Sequence, residues 1–220
     1  MGTCVIFCAA AFDSLIRPMA DADHVIAADG GLRHTEKLQI LPSDVLGDFD
    51  SLGYVPEGAN VFPVEKDDTD AMLAVRRGLD LGYRNFLIYG GLDGPRLDHT
   101  VANFQTLHFL ANHGAFGILV GKDCLAAVIR QGSLLFPEGR QGTLSVFCSG
   151  PDARGVDLKG LYYPLENGSL SPAFPLGVSN HFTGEQALIR VREGALLVIW
   201  DRSAGLPVQA VQKNREVTLC

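Results

Sequence analysis

No uncharged apolar run in this chain approaches the roughly 18 residues needed to cross a bilayer, so no membrane span is expected. The apolar N-terminal stretch MGTCVIFCAAAF lacks a basic leader, and a signal peptide is not expected either. Cysteine is sparse, odd in number and without a CxxC pair: Cys4, Cys8, Cys124, Cys148 and Cys220. That usage excludes a disulfide framework and reads as reduced thiols of a cytoplasmic protein. The six His show no HxxxH or HExxH spacing, which argues against a His/Cys zinc site. Clustered Lys and Arg are missing too, and the net charge is -7, so nucleic acid is not expected as a partner.

What the chain does contain is an ordinary globular mixture of 47% hydrophobic and 20% charged residues over 220 positions. That length suits one large domain or two small ones, with a sizeable buried core. Among the carboxylates Asp outnumbers Glu by 17 to 8, and ten of the Asp lie between Asp29 and Asp98. A solvated helix surface favours Glu, so the bias points to turns, caps or metal ligation.

Periodicity divides the chain. In the first part the runs at 3–9, 24–28, 45–47, 60–64, 85–89 and 116–120 are nearly continuous in apolar character, as strands covered on both faces are. Between them, 70–81 predicts a helix with a Met72, Val75, Leu79 stripe, and 98–111 one with a stripe of Val101, Phe104, Leu107 or His108, and Ala111. Strand and helix alternating in this way imply an open α/β sheet whose ligand site lies beyond the strands' carboxyl ends. After about Gln131 come short β-type runs at 134–136, 143–147, 155–158, 187–191 and 195–200, with no helical period. The segment 167–184 carries no charge and reads as ordered loop or weak strand. The expected fold is therefore an open α/β parallel sheet over residues 1–128, followed by a small antiparallel sandwich or barrel over residues 129–220.

Four acidic segments each follow a predicted strand: Asp29-Gly30-Gly31, Asp48-Phe49-Asp50-Ser51, Lys66-Asp67-Asp68-Thr69-Asp70, and the stretch from Gly90-Gly91 through Arg96 to Asp98. Each alone also reads as a turn, a helix cap or an ion pair. Strand ends in a parallel sheet lie side by side, however, and carboxylates gathered there repel unless a cation joins them. Hard oxygen donors without His or Cys select Mg²⁺, with Mn²⁺ as a substitute. Glycine turns and helix N-termini offer N–H groups to phosphate, and Arg96 and Lys66 are fixed cations suited to a transferring phosphoryl group.

These motifs, ADGG at 28–31, GDFDS at 47–51, KDDTD at 66–70, RLDHTVAN at 96–103 and GVSN at 177–180, resemble those of the thiamine pyrophosphokinases. The resemblance spans most of the chain in the family's order. It implies an α/β nucleotide-binding domain followed by a small all-β sandwich domain, transfer of the β,γ-diphosphoryl group of ATP to thiamine, a homodimer, and thiamine bound near the subunit interface. It further implies metal and phosphate handling by Asp48, Asp50, Asp70 and Asp98, with Arg96 on the phosphates. Asp29, Gly30, Gly31, Lys66, Asp67, Thr69 and Gly91 fall to the ATP site, and Ser179 and Asn180 to thiamine. Asp98 is either a ligand or the acceptor of the hydroxyl proton. Tyr162, Tyr163 and Trp200 are candidate walls for the cationic thiazolium, although a lone Trp in an apolar strand is more often core. Two departures from the pattern are Pro95, which removes an N–H from the phosphate loop, and His181 after Ser-Asn. Competing expectations are a diphosphokinase of another alcohol such as a hydroxymethyl pterin, a non-catalytic nucleotide or thiamine sensor, and a metal-dependent phosphohydrolase.

Overall fold

The computed structural model describes residues 2–49, 53–56, 58–61, 68–212 and 215–218. Internal contacts divide the chain into two compact units, residues 1–106 with 119–122, and residues 107–118 with 123–220.

The first unit begins with β1 (Cys4–Phe7) and β2 (His24–Ala28), then a 3-10 turn at Asp29–Gly31 running into α1 (Leu32–Lys37). There follow β3 (Asp44–Gly47), β4 (Asn60–Val61), α2 (Asp70–Asp80) and β5 (Asn85–Tyr89), then α3 (Leu97–Asn112) and β6 (Phe116–Val120), of which residues 107–112 and 116–118 fall to the second unit. Strands β5, β1, β2, β3 and β4 lie side by side in that order, and all four pairings are parallel. All of β1, and all but the first residue of β2 and β5, are buried, which is why those runs carry no polar alternation. From β1 the chain winds one way through β2, β3 and β4, then returns to place β5 on β1's other side. That reversal makes a switch point at the carboxyl ends of β1 and β5, where open sheets of this kind bind ligands.

The expected α2 stripe is rotated in the structure, and the α3 stripe is met at Leu107 and Ala111 but not at Val101. On α2 the buried residues are Ala71, Ala74, Val75 and Gly78, rather than a stripe led by Met72 and Leu79. A Cβ at Gly78 would lie 2.6 Å from Phe86 Cε1 and 2.8 Å from Cys4 Sγ. The helix sits so close to the strands that only its smallest side chains fit between. On α3 the buried positions include Asn103, Thr106, Leu107, Leu110 and Ala111, while Val101 is half exposed. Two polar residues therefore occupy the inner face. Apolar periodicity alone misses this.

The second unit is antiparallel throughout. It begins with β7 (Cys124–Arg130), β8 (Ser133–Phe136), β9 (Thr143–Cys148), β10 (Ala153–Lys159) and β11 (Leu165–Leu170). It continues through β12 (Gly177–His181), β13 (Ala187–Arg190), β14 (Ala195–Asp201), β15 (Gln209–Gln212) and β16 (Arg215–Thr218). One sheet pairs β7 with β14, β14 with β9 and β9 with β12. The other runs β11, β10, β13, β8, β15, β16. The two pack on each other: Phe136 of β8 meets Trp200 of β14 edge-on at 5.4 Å, and Gln212 of β15 donates to Val128 O of β7 at 2.7 Å. Strand β7 spans the 128/129 boundary expected from sequence, and contacts assign all of it to the second unit. The uncharged segment 167–184 holds part of β11 and all of β12.

Candidate active site

A cavity of about 340 Å³ opens at the switch point of the first unit. Its floor is the loops that leave β1 (Cys8, Ala9, Ala10) and β5 (Gly90, Gly91), and its walls come from Asp29, the start of α2 and the start of α3. The volume is in the range of small-ligand sites.

Local chemistry explains how the walls form. Thr69 caps α2, its hydroxyl oxygen accepting from Met72 N at 3.2 Å, and Asp70 sits in the first turn. Thr69, Asp70 and Ala71 all face the cavity, so the positive end of an eleven-residue helix opens onto it. Gly90 has φ +67, and a Cβ there would lie 2.4 Å from Cys8 O and 2.5 Å from Ala10 O. Only glycine allows the β1 and β5 loops to touch as they do. They are joined by Ala10 N donating to Gly90 O at 3.1 Å.

The sequence-expected residues are distributed unevenly. Asp29, Thr69, Asp70, Gly91 and Arg96 line the cavity. Gly30 and Gly31 are buried in the 3-10 turn behind Asp29; a Cβ at Gly31 would lie 1.8 Å from Phe7 O, so this glycine lets the turn seat on β1. Asp48 follows β3 and is half-buried, outside the lining. Gly47 before it has φ +154 and presses on Asp29, a Cβ meeting Asp29 Cα at 3.0 Å, so the ends of β2 and β3 are in contact. Asp29 (φ 47) and Phe49 (φ 59) both hold left-handed backbone, a conformation costly for residues with a Cβ and concentrated at functional sites. Asp50, Lys66 and Asp67 lie outside the described residues.

Asp98 does not face the cavity. Its carboxylate takes Arg96 Nη2 at 2.5 Å and Arg96 Nε at 3.2 Å, with both side chains 64% exposed. This hydrogen-bonded pairing holds the Asp98 carboxyl below its usual range and the Arg96 guanidinium above its own. Among the described residues no group of three or more His, Cys, Asp or Glu is placed to hold a metal ion. Of the expected quartet, Asp70 lines the cavity, Asp48 lies outside the lining, Asp98 pairs with Arg96, and Asp50 lies outside the described residues.

Donor chemistry at the cavity still fits a hard cation. The one soft donor in the lining, Cys8, is pushed up to about 12 by burial and by the charge of Asp70, so it stays a thiol. Carboxylate and hydroxyl oxygens of Asp29, Thr69, Asp70 and Thr100 remain, beside the imidazole of His99. Sequence reasoning missed the Cys8-Ala9-Ala10 floor and the His99, Thr100 and Asn103 wall. The run of three small residues after the first strand was the available signal, because small side chains leave room.

In the second unit Ser179 is exposed with φ 58, and its N–H donates to Ser145 Oγ at 3.1 Å. Asn180 is buried, and its amide is spent on backbone: Oδ1 accepts from Tyr163 N at 2.9 Å and Nδ2 donates to Tyr163 O at 2.7 Å. It anchors the turn that presents Tyr162 and Tyr163, which are 66% and 60% exposed and stacked edge-on. Trp200 is core, 1% exposed, with its indole N–H on Gly205 O.

Residues 16–116 match the family model "Thiamin pyrophosphokinase, catalytic domain", and residues 134–196 match "Thiamin pyrophosphokinase, vitamin B1 binding domain". Among solved structures, the chain is similar to thiamine pyrophosphokinase from Bacillus subtilis, with 22% identity over 91% of this chain and 99% of that one, TM-score 0.77. A thiamin pyrophosphokinase family protein from Enterococcus faecalis gives 24%, 91%, 99% and 0.75. The yeast thiamin pyrophosphokinase gives 15%, 93%, 87% and 0.68. No curated protein sequence matches. At these identities the structural likeness establishes the fold, a mixed sheet with few helices and a second sheet domain.

Proposed function

We infer the working of the cavity from one premise: the chain belongs to the thiamin pyrophosphokinase family, both of whose domain models it matches in order over about three-quarters of its length. It is an ATP-dependent diphosphotransferase that converts thiamine to thiamine diphosphate. The first unit binds ATP, and the second supplies the thiamine site.

The observation that carries the assignment of the cavity is that Asp29, Thr69, Asp70, Gly91 and Arg96, remote in sequence, line one space at a switch point. The α2 N-terminus and the Gly90–Gly91 turn receive the phosphates. Arg96, held in a fixed pose by Asp98, adds positive charge where the transferring group becomes more anionic. Asp48, Asp50 and Asp70 would hold Mg²⁺ or Mn²⁺, which supplies neutralisation of charge on the β- and γ-phosphates. By their place in the KDDTD motif, Lys66 and Asp67 are assigned to ATP binding as well. The hydroxyl oxygen of thiamine bonds to the β-phosphorus while the bond from that phosphorus to the α,β-bridging oxygen breaks, and AMP departs. The hydroxyl proton passes to a carboxylate; Asp98 fills that role if it is not a metal ligand. Ser179 contacts thiamine, Asn180 positions the turn beneath it, and Tyr162 or Tyr163 faces the thiazolium.

We further propose a cytoplasmic homodimer. Among the described residues no helix is long and apolar enough to cross a membrane and no disulfide is present. The exposed Tyr162, Tyr163, Phe174 and Leu176 of the second unit offer apolar surface for a second copy.

The deciding experiment incubates the protein with ATP and Mg²⁺ plus thiamine, a hydroxymethyl pterin, or no acceptor, and measures AMP. AMP and thiamine diphosphate should form with thiamine alone. AMP with the pterin only, or phosphate release without acceptor, overturns the reading.

A further inference from the structure

We propose that Asn103 is a positioning residue for the nucleotide side of the cavity, holding the Gly90–Gly91 turn in the shape that receives phosphate. The inference rests on the diphosphotransfer assigned to this cavity. Asn103 lies on the inner face of α3 and is 8% exposed. Burying an amide there is costly unless its hydrogen bonds are met, and a Leu would fill the position without that cost. The amide does not bond to its own helix. Nδ2 donates to Gly91 O at 2.8 Å, twelve residues back, and both residues line the cavity.

A control exists one turn further along. Thr106 is 1% exposed on the same face, and its hydroxyl donates to Ala102 O at 3.1 Å, closing within the helix. Of two buried polar side chains, one serves α3 and the other serves the turn. That turn is otherwise tied by backbone: Cys8 N donates to Tyr89 O at 2.8 Å and Ala10 N to Gly90 O at 3.1 Å. From behind, a Cβ at Gly91 would lie 2.7 Å from Leu119 Cδ2 and 3.4 Å from Asn103 Nδ2. Asn103 is thus the side-chain hydrogen bond that sets the Gly91 carbonyl. Since the peptide is planar and trans, this also fixes the direction of the following Leu92 N–H. Released, the Gly91 peptide can rotate and turn its carbonyl oxygen toward the anionic phosphates, misplacing them relative to the acceptor.

The test compares Asn103→Leu with Thr106→Val in the full-length protein, after wild-type AMP formation from ATP and thiamine has been established. For Asn103→Leu the KM for ATP should rise on the order of tenfold with a fall in kcat, while the KM for thiamine stays within about twofold. Asn103→Gln, which keeps the donor, should recover part of the ATP effect. Thr106→Val should lower the melting temperature and leave both KM values at wild type. If Asn103→Leu does not fold, Asn103→Asp takes its place, with equilibrium binding of an unreactive ATP analogue as readout. An ATP KM and analogue affinity unchanged in the Asn103 variants, or shifted equally in Thr106→Val, overturn the inference. A wild-type protein that makes no AMP overturns the reaction, and analogue binding by the variants then still decides the role of Asn103.

Discussion

The two units use their polar residues in opposite ways. In the first, Asp29, Thr69, Asp70 and Arg96 stand at strand and helix ends and face a cavity. In the second, Asp157, Asn180 and Gln212 are 3%, 3% and 0% exposed, and their hydrogen bonds close on the protein itself. Asp157 accepts from Asn167 N and from Arg192 Nη2, each at 2.8 Å. Gln212 accepts from Arg130 N and donates to Val128 O, each at 2.7 Å, bridging the two sheets. Asp157, Asn180 and Gln212 thus hold the second unit together, whereas Asp29 and Asp70 are placed to serve a ligand. Substitutions should separate the two kinds cleanly.

The largest separation is expected at Asp70. Asp70→Asn should cut AMP formation by about 10³-fold, near 4 kcal/mol of transition-state stabilisation, with the melting temperature unchanged or raised. A variant that keeps activity within a few-fold while losing stability would place Asp70 with the structural group and break the comparison. Next, Asn180→Leu should cost about 3 kcal/mol in a denaturant titration, since it leaves the Tyr163 N–H and C=O without their side-chain partner. ATP-analogue binding by the first unit should survive.

Asp157 gives a smaller, pH-dependent effect. Hydrogen bonding from Asn167 N–H, and then Arg192, holds its carboxyl below the usual range against the opposing effect of burial. The folded value lies below the unfolded one of about 4, so this stabilisation is complete above that pH and is lost as pH falls through the folded value. Urea midpoints followed from about pH 5 downward should therefore decline more steeply for wild type than for Asp157→Asn, and equal slopes would contradict it. Least of all, Arg76→Ala removes an ion pair with Asp68 at 2.9 Å that is 48% and 30% exposed. Stability should change by no more than about 0.5 kcal/mol.

Legibility in the sequence followed the physics of each region. The parallel strands were readable because burial on both faces leaves continuous apolar runs, as in 85–89. Helix existence at α2 and α3 was readable, but the inward face was not. Close approach to the strands favours Ala and Gly over Met and Leu, and Asn103 is retained inside by a partner that only the fold supplies. The short turn and helix from Asp29 to Lys37 left no apolar period to detect. For Asp98 the motif leaves metal ligand, proton acceptor and ion pair open, and the fold places its carboxylate on Arg96. Trp200 was weighed as a thiamine wall and lies in the core.

From the order of residues alone came the family, the alternation that makes a parallel sheet, and the chemistry of a hard-cation, phosphate-handling site, since side-chain type and chain spacing encode these directly. Which carboxylates face the cavity and which are spent on a neighbour was decided by the folded chain. A hydrogen bond is settled by distance and direction between groups remote in sequence, and those exist only once the strand ends have been brought together.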